Sequence, residues 1–244
     1  MTPGPASELF QGATHVLFDF DGPLVDLFAG HGAPGIAATL LEKIRAEVEL
    51  AGTEFPDATD PHRIVAELHG VLTRCLLLSD EQASRLVDIA QRALVAEERI
   101  AAKSAAVTAG AAALVDELRR LGCGLAITSN NSAEAIHDFL AGRSGDGFRE
   151  AFGRHVYGRA PEPYLMKPHP SCVRLALAGL GCTAESRILM IGDSASDFKA
   201  ATAAELGIQF VGYAPNRRKI DLLRASGVDH LVESLHDLLR GRSF

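Results

Sequence analysis

Asp19 and Asp21 stand two residues apart, behind the apolar run His15-Val16-Leu17-Phe18 and just ahead of Gly22. In an extended strand, residues two apart share a side, so this spacing aims two carboxylates the same way at the end of a buried segment. Two like charges there are costly without compensation. A divalent cation suits them, because hard cations take oxygen ligands. Further along, Ser129, Asn130 and Asn131 follow the apolar run Gly124-Leu125-Ala126-Ile127-Thr128. Gly192, Asp193, Ser194 and Asp197 follow Arg187-Ile188-Leu189-Met190-Ile191, and Lys167 precedes Pro168 in a loop. The acids suit magnesium, which favours carboxylates, carbonyls and water. The lysine and the Ser/Asn pair suit phosphate oxygens.

The elements that must carry these residues follow from the hydrophobic pattern. Residues 15–20, 124–128, 155–157, 187–192 and 208–212 are expected as strands, most of them nearly continuous apolar runs. Helices are expected from Leu114 to Leu121, closed by Gly122, and from Ser132 to Leu140. Two more run through Leu175 to Leu180, with Pro170 at the start, and from Ser196 to Leu206, with Gly207 at its end. Alternating strands and helices imply an α/β fold: a Rossmann-like, doubly wound parallel sheet with helices on both faces. Such sheets bind ligands outside the carboxyl ends of their strands, where the polar residues above fall. The stretch 25–104 reads differently. Ile36, Leu40, Leu41, Ile44 and Val48 recur at helical spacing, and Gly52 and the Pro56–Pro61 region break that helix. Asp60-Pro61 opens a second helix through Ile64, Leu68, Val71, Leu72 and Cys75. Ser79 with Gln82 forms a capping box before a third, through Leu86, Ala90 and Leu94. Residues 25–104 are thus expected to be all-helical, inserted after the first strand.

Composition bounds the function. A chain of 244 residues with 47% hydrophobic content can bury a sizeable core. The net charge of −7 argues against broad nucleic-acid binding, which needs a basic face. No apolar run approaches the ~20 residues that span a bilayer. Met1-Thr2-Pro3-Gly4-Pro5 lacks the basic start and apolar stretch of a signal peptide. Cys75, Cys123, Cys172 and Cys182 are scattered and read as reduced, mostly buried thiols of a cytoplasmic protein. The acidic balance favours a small metabolite as partner, with no membrane and no nucleic acid; the oligomeric state is open.

In order and at strand ends, these residues resemble the four motifs of the haloacid dehalogenase superfamily. Asp19-Phe20-Asp21-Gly22 matches the first, Ser129 the second, Lys167-Pro168 the third and Gly192-Asp193-Ser194-Ala195-Ser196-Asp197 the fourth. The resemblance implies a catalytic core of residues 14–24 and 105–244 and an α-helical cap at 25–104, which would close over the site and set substrate choice. The 37 residues between Ser129 and Lys167 leave little room for the family's alternative cap. It also implies roles. Asp19 is the expected nucleophile, forming an aspartyl-phosphate, and a metal ligand. Asp21 is the expected acid and base, with its carbonyl on the metal. Asp193 and Asp197 complete the magnesium site. Lys167 neutralises charge on Asp19 and the phosphoryl oxygens, and Ser129 and the backbone or side-chain amide of Asn130 hold the transferring group. Dehalogenases of the superfamily lack a residue like Asp21, because halide leaves without a proton. Its presence therefore points to a phosphatase for a small phosphate monoester, similar to phosphoglycolate phosphatases. Pro23 departs from the usual Thr or Val and removes a backbone donor from the turn.

Plainer readings stand beside these. Acids at strand ends also cap loops. Asp193 and Asp197 suit a helix N-terminus, a role compatible with metal ligation. Lys167 alone is an ordinary surface lysine, and Ser129 and Asn130 alone are a turn or cap. His31, near the cap entry, reads as solvated or hydrogen-bonded rather than as a substrate contact, and Asp26 as steadying the cap hinge; His69, His169 and the Arg217-Arg218-Lys219 cluster read as structural or solvent-facing, with anion binding by the cluster the weaker reading. Two other functions share the core residues: a phosphomutase acting on a sugar phosphate, and a non-catalytic phosphate-ligand binding protein. Phosphonate hydrolysis would need a cap lysine, and Lys43 and Lys103 are the only ones.

Overall fold

The structure, a computed structural model, describes residues 12–48, 55, 57–142 and 147–239. The expected helix break at Gly52 and Pro56 and the expectation for the first five residues lie outside this set. The described residues fall into two compact units. One comprises the chain up to Asp26 and from Ala106; the other is Leu27–Ala105.

The first unit is built on a six-stranded sheet. Its strands are β1 (His15–Phe18), β4 (Gly124–Thr128), β5 (Val156–Tyr157), β6 (Ile188–Gly192), β7 (Gln209–Tyr213) and β8 (Leu231–Val232). The order is β5-β4-β1-β6-β7-β8, and every pairing is parallel. Parallel strands are buried on both faces, and β1, β4 and β6 are apolar almost throughout. On one face Leu17, Ala126, Met190 and Phe210 pack against the helices Ser171–Leu180, Ala195–Ala203 and Arg217–Ala225. On the other, Phe18 meets Phe152 of the helix Phe148–Phe152 edge-on at 5.9 Å. The doubly wound α/β class is therefore what the sequence pattern implies.

Register carries the site. Phe18 pairs with both Ile127 and Ile191, so β1, β4 and β6 end level. The chain leaves β1 toward β4 on one side and reaches β6 on the other. The carboxyl ends of the three central strands thus line the crevice where such sheets bind ligands.

Three expectations need correction. The segment from Val25 is not helical at its start. Val25–Asp26 forms a strand, β2, antiparallel to β3, Ala106–Val107. Two-residue strands carry no periodicity for a sequence pattern to display. The first helix of the insert spans Ala33–Arg45, so Val48 lies beyond it. The four cysteines are unpaired thiols, but only Cys172 is buried.

The second unit contains Ala33–Arg45, Pro61–Cys75 and Asp80–Ser104. Each helix has local reasons to start. Pro34 sits in the first turn of the first helix. Asp60 accepts from the amides of His62 and Arg63. Ser79 and Gln82 form the expected capping box. The stripes of Ile36, Leu40, Ile44, Ile64, Leu68 and Leu72 are buried, so they are this unit's own core. Among the described residues, no helix is long and apolar enough to cross a membrane.

Candidate active site

Asp19 is the first residue past β1, and its amide donates to the Ile191 carbonyl at 2.9 Å. This ties the end of β1 to β6 and leaves the carboxylate at the level of Gly192. Its Oδ1 accepts from the Phe20 amide at 2.8 Å and from Lys167 Nζ at 2.9 Å. Asp21 follows in a tight turn, half-buried. There Gly22 N donates to Val25 O at 2.7 Å and Val25 N to Phe20 O at 3.1 Å. The turn's bonds run from Gly22 and Val25, so Pro23 costs it no donor. Gly22 has φ +105°, and a Cβ on it would stand 2.5 Å from Asp193 Oδ2. Glycine is required there both by the backbone and by the carboxylate behind it.

Past β6, Asp193 and Asp197 open the helix Ala195–Ala203. Asp197 is fully buried. Its Oδ2 accepts from the amides of Asp193 and Ser194 and from Ser194 Oγ, while Ser194 Oγ accepts from the Asp197 amide. That is the helix-capping role. Its Oδ1 has no hydrogen-bond partner, although Lys167 Nζ lies 2.5 Å away as an ion pair. One carboxylate thus divides its work: one oxygen caps, the other faces the acids. Gly192 makes this packing feasible, since a Cβ there would meet the Asp197 Cβ at 2.6 Å.

Oxygens of Asp19, Asp193 and Asp197 lie within 4.8 Å of one another. Three carboxylates this close, with the Asp197 Oδ1 left free by the helix cap and met only by Lys167, fit a hard divalent cation. The Asp21 carboxylate stands outside this cluster; the sequence asked only its carbonyl for the metal. Burial pushes the Asp19 carboxyl up to about 8, Asp197 adding to the rise and Lys167 opposing it. Burial likewise raises Asp193, with Lys219 opposing and Asp197 adding. These are the marks of like charges gathered in a dry place, which a cation would relieve.

Lys167 is 5% exposed, and besides the two acids it donates to the Thr128 carbonyl at 3.0 Å. Burial works against its charge, but Asp19 and Asp197 outweigh that and hold the ammonium above the ordinary lysine range. Its backbone is fixed by Asn130. Asn130 Oδ1 accepts from the Lys167 amide at 2.7 Å, and Nδ2 donates to the Lys167 carbonyl at 3.0 Å. The Asn130 side-chain amide is therefore a clamp on Lys167. Ser129 is buried just past β4; its amide donates to Tyr157 O, and its hydroxyl donates to Asn131 Oδ1 at 3.0 Å.

Three features escaped the sequence. Arg159 supports the clamp, its Nη1 donating to Asn130 O at 2.9 Å. Lys219, in the helix after β7, donates to Asp193 Oδ2 at 2.5 Å and to Asp193 O at 3.1 Å. A pocket of about 230 Å³ opens beside Ser129 and Asn130, lined also by Arg159, Leu165, Met166 and Cys172. None of the acids lines it, and burial pushes the Cys172 thiol up to about 11, too high for a nucleophile at neutral pH.

The chain has known relatives. The chain is 29% identical over 234 residues to the phosphoglycolate phosphatase of Rhodospirillum rubrum, covering 92% of this chain and 90% of that one. It is 28% identical to that of Rhodobacter capsulatus, covering 94% and 98%. Its fold is similar to the crystal structure of a predicted phosphatase from Clostridium acetobutylicum, with a TM-score of 0.67 at 20% identity, covering 93% and 96% of the two chains. Residues 13–205 match the model of the haloacid dehalogenase-like hydrolases, and the chain belongs to that family of hydrolases.

Proposed function

We propose that this hydrolase is a magnesium-dependent phosphatase acting on a small phosphate monoester, with Asp19 as the residue that takes the phosphoryl group. The observation that carries this is the meeting of Asp19, Asp193 and Asp197 with Lys167 at the ends of β1 and β6. The likeness to phosphoglycolate phosphatases supports a small phosphorylated acid as the substrate class.

Magnesium at the three carboxylates would supply the charge that lets an ionised Asp19 meet an anionic phosphoryl group. The chain's own residues do the rest. Lys167 holds Asp19 Oδ1 and aims its ammonium at the site, neutralising charge as the phosphorus accepts a fifth oxygen. The Asp19 carboxylate attacks phosphorus, and the ester oxygen leaves. Asp21 gives that oxygen its proton, then takes one from the water that releases phosphate from Asp19. Ser129 and the backbone amide of Asn130 hold a phosphoryl oxygen, while the Asn130 side chain acts through Lys167. The core unit is assigned the chemistry, and the helical unit, as the cap of the family, the choice of leaving group. The unpaired thiols accord with a cytoplasmic enzyme.

The test is phosphate release from a panel of phosphorylated metabolites, with magnesium against EDTA. Asp19→Asn should abolish release, a loss of at least about 10⁴-fold, because an amide cannot replace the attacking carboxylate. Full activity in that variant would dismiss Asp19 as nucleophile.

A further inference from the structure

Lys219 reaches the acid cluster from outside the four motifs. It sits in the first turn of the helix Arg217–Ala225, where Asn216 Oδ1 accepts its amide at 3.0 Å and fixes the turn. Its Nζ grips Asp193 twice, at Oδ2 and at the carbonyl. The Asp193 side chain is 17% exposed and that of Lys219 36%. Asp193 is also bounded by Gly22, which has no room for a Cβ. Of the same basic cluster, Arg217 instead pairs with Asp221 on its own helix, at 3.1 Å and largely in solvent. Only Lys219 of this pair is turned to the site.

Charge then decides what Lys219 does. Three carboxylates face two ammoniums, Lys167 between Asp19 and Asp197 and Lys219 on Asp193. A fixed positive charge beside a metal-binding carboxylate opposes a divalent cation and favours a phosphate dianion. We infer that Lys219 is a positioning residue that serves as the site's built-in counter-cation, weakening its hold on magnesium while strengthening its hold on phosphate. This rests on the proposed metal site, and its signature is a pair of opposite shifts that a merely structural lysine would not produce.

The experiment is calorimetric titration of the full chain with magnesium, and with inorganic phosphate at saturating magnesium. Wild type, Lys219→Met, Lys219→Arg and Asp193→Asn are compared. Lys219→Met should bind magnesium about tenfold more tightly and phosphate about tenfold more weakly, and Lys219→Arg should return both toward wild type. If Lys219→Met leaves magnesium affinity unchanged or weakens it while Asp193→Asn abolishes magnesium binding, the counter-cation role is wrong and the metal site stands. If magnesium affinity is the same in wild type and Asp193→Asn, both fall.

Discussion

The Asp19 carboxylate faces two demands. As a nucleophile it must be ionised, yet burial and the neighbouring Asp197 push it up to about 8. Lys167, at 2.9 Å, offsets only part of this. A divalent cation must therefore displace a proton from Asp19 when it binds below about pH 8. Magnesium affinity should rise about tenfold per pH unit across the two units below that value. Titrations in buffers of different ionisation heat should show a proton released. In Asp19→Asn the release should vanish and the affinity lose most of its pH dependence. A wild-type affinity independent of pH would mean that Asp19 is already ionised. Asp19, Asp193, Asp197 and Lys167 were all legible in the sequence, because each has a charged type just past an apolar run or in a motif. Lys219 was not. It reaches Asp193 across 26 positions, from a helix whose basic residues read as a solvated face.

At the scale of elements, the site is made by level strand ends and by glycines that let carboxylates approach. The strands were legible because buried parallel strands are near-continuous apolar runs. Their register was not, since sequence does not tell which residue of β4 or β6 faces Phe18. β2, β3 and β8 escaped because two residues show no period; β5, equally short, was expected only from its place between two helices of the alternating pattern. The turn from Phe20 to Val25 carries Asp21 and sets Gly22 against Asp193. Gly22→Ala places a Cβ 2.5 Å from Asp193 Oδ2 at φ +105°. It should cost about 1–3 kcal/mol in stability and displace Asp193. Urea denaturation would show the first, and weaker magnesium binding the second. Asp60→Ala should cost about 1 kcal/mol through loss of the cap on Pro61–Cys75, with magnesium affinity unchanged. Equal magnesium affinity in Gly22→Ala and wild type would dissociate the turn from the metal site.

For the whole molecule, the raised Asp19 ties stability to pH. Its folded value of about 8 lies above the ordinary 3.8. The folded state thus holds a proton that the unfolded chain gives up at lower pH. The contribution is full below 3.8 and is lost as pH rises through about 8. The metal-free protein should lose melting temperature over that interval, and Asp19→Asn should flatten the loss. Magnesium should raise the midpoint more at pH 8 than at pH 6, by several degrees for a chain of about this size. Thermal scans with magnesium or EDTA at both values check this; an equal gain at both would contradict it.

In the proposed reaction Asp19 carries the phosphoryl group. The most direct test is to quench turnover of a cleaved phosphate monoester in acid and map the peptides by mass. A phosphoryl group should appear on Asp19, accumulating in Asp21→Asn and absent in Asp19→Asn. Turnover that leaves Asp19 unmodified while another residue is phosphorylated would contradict it.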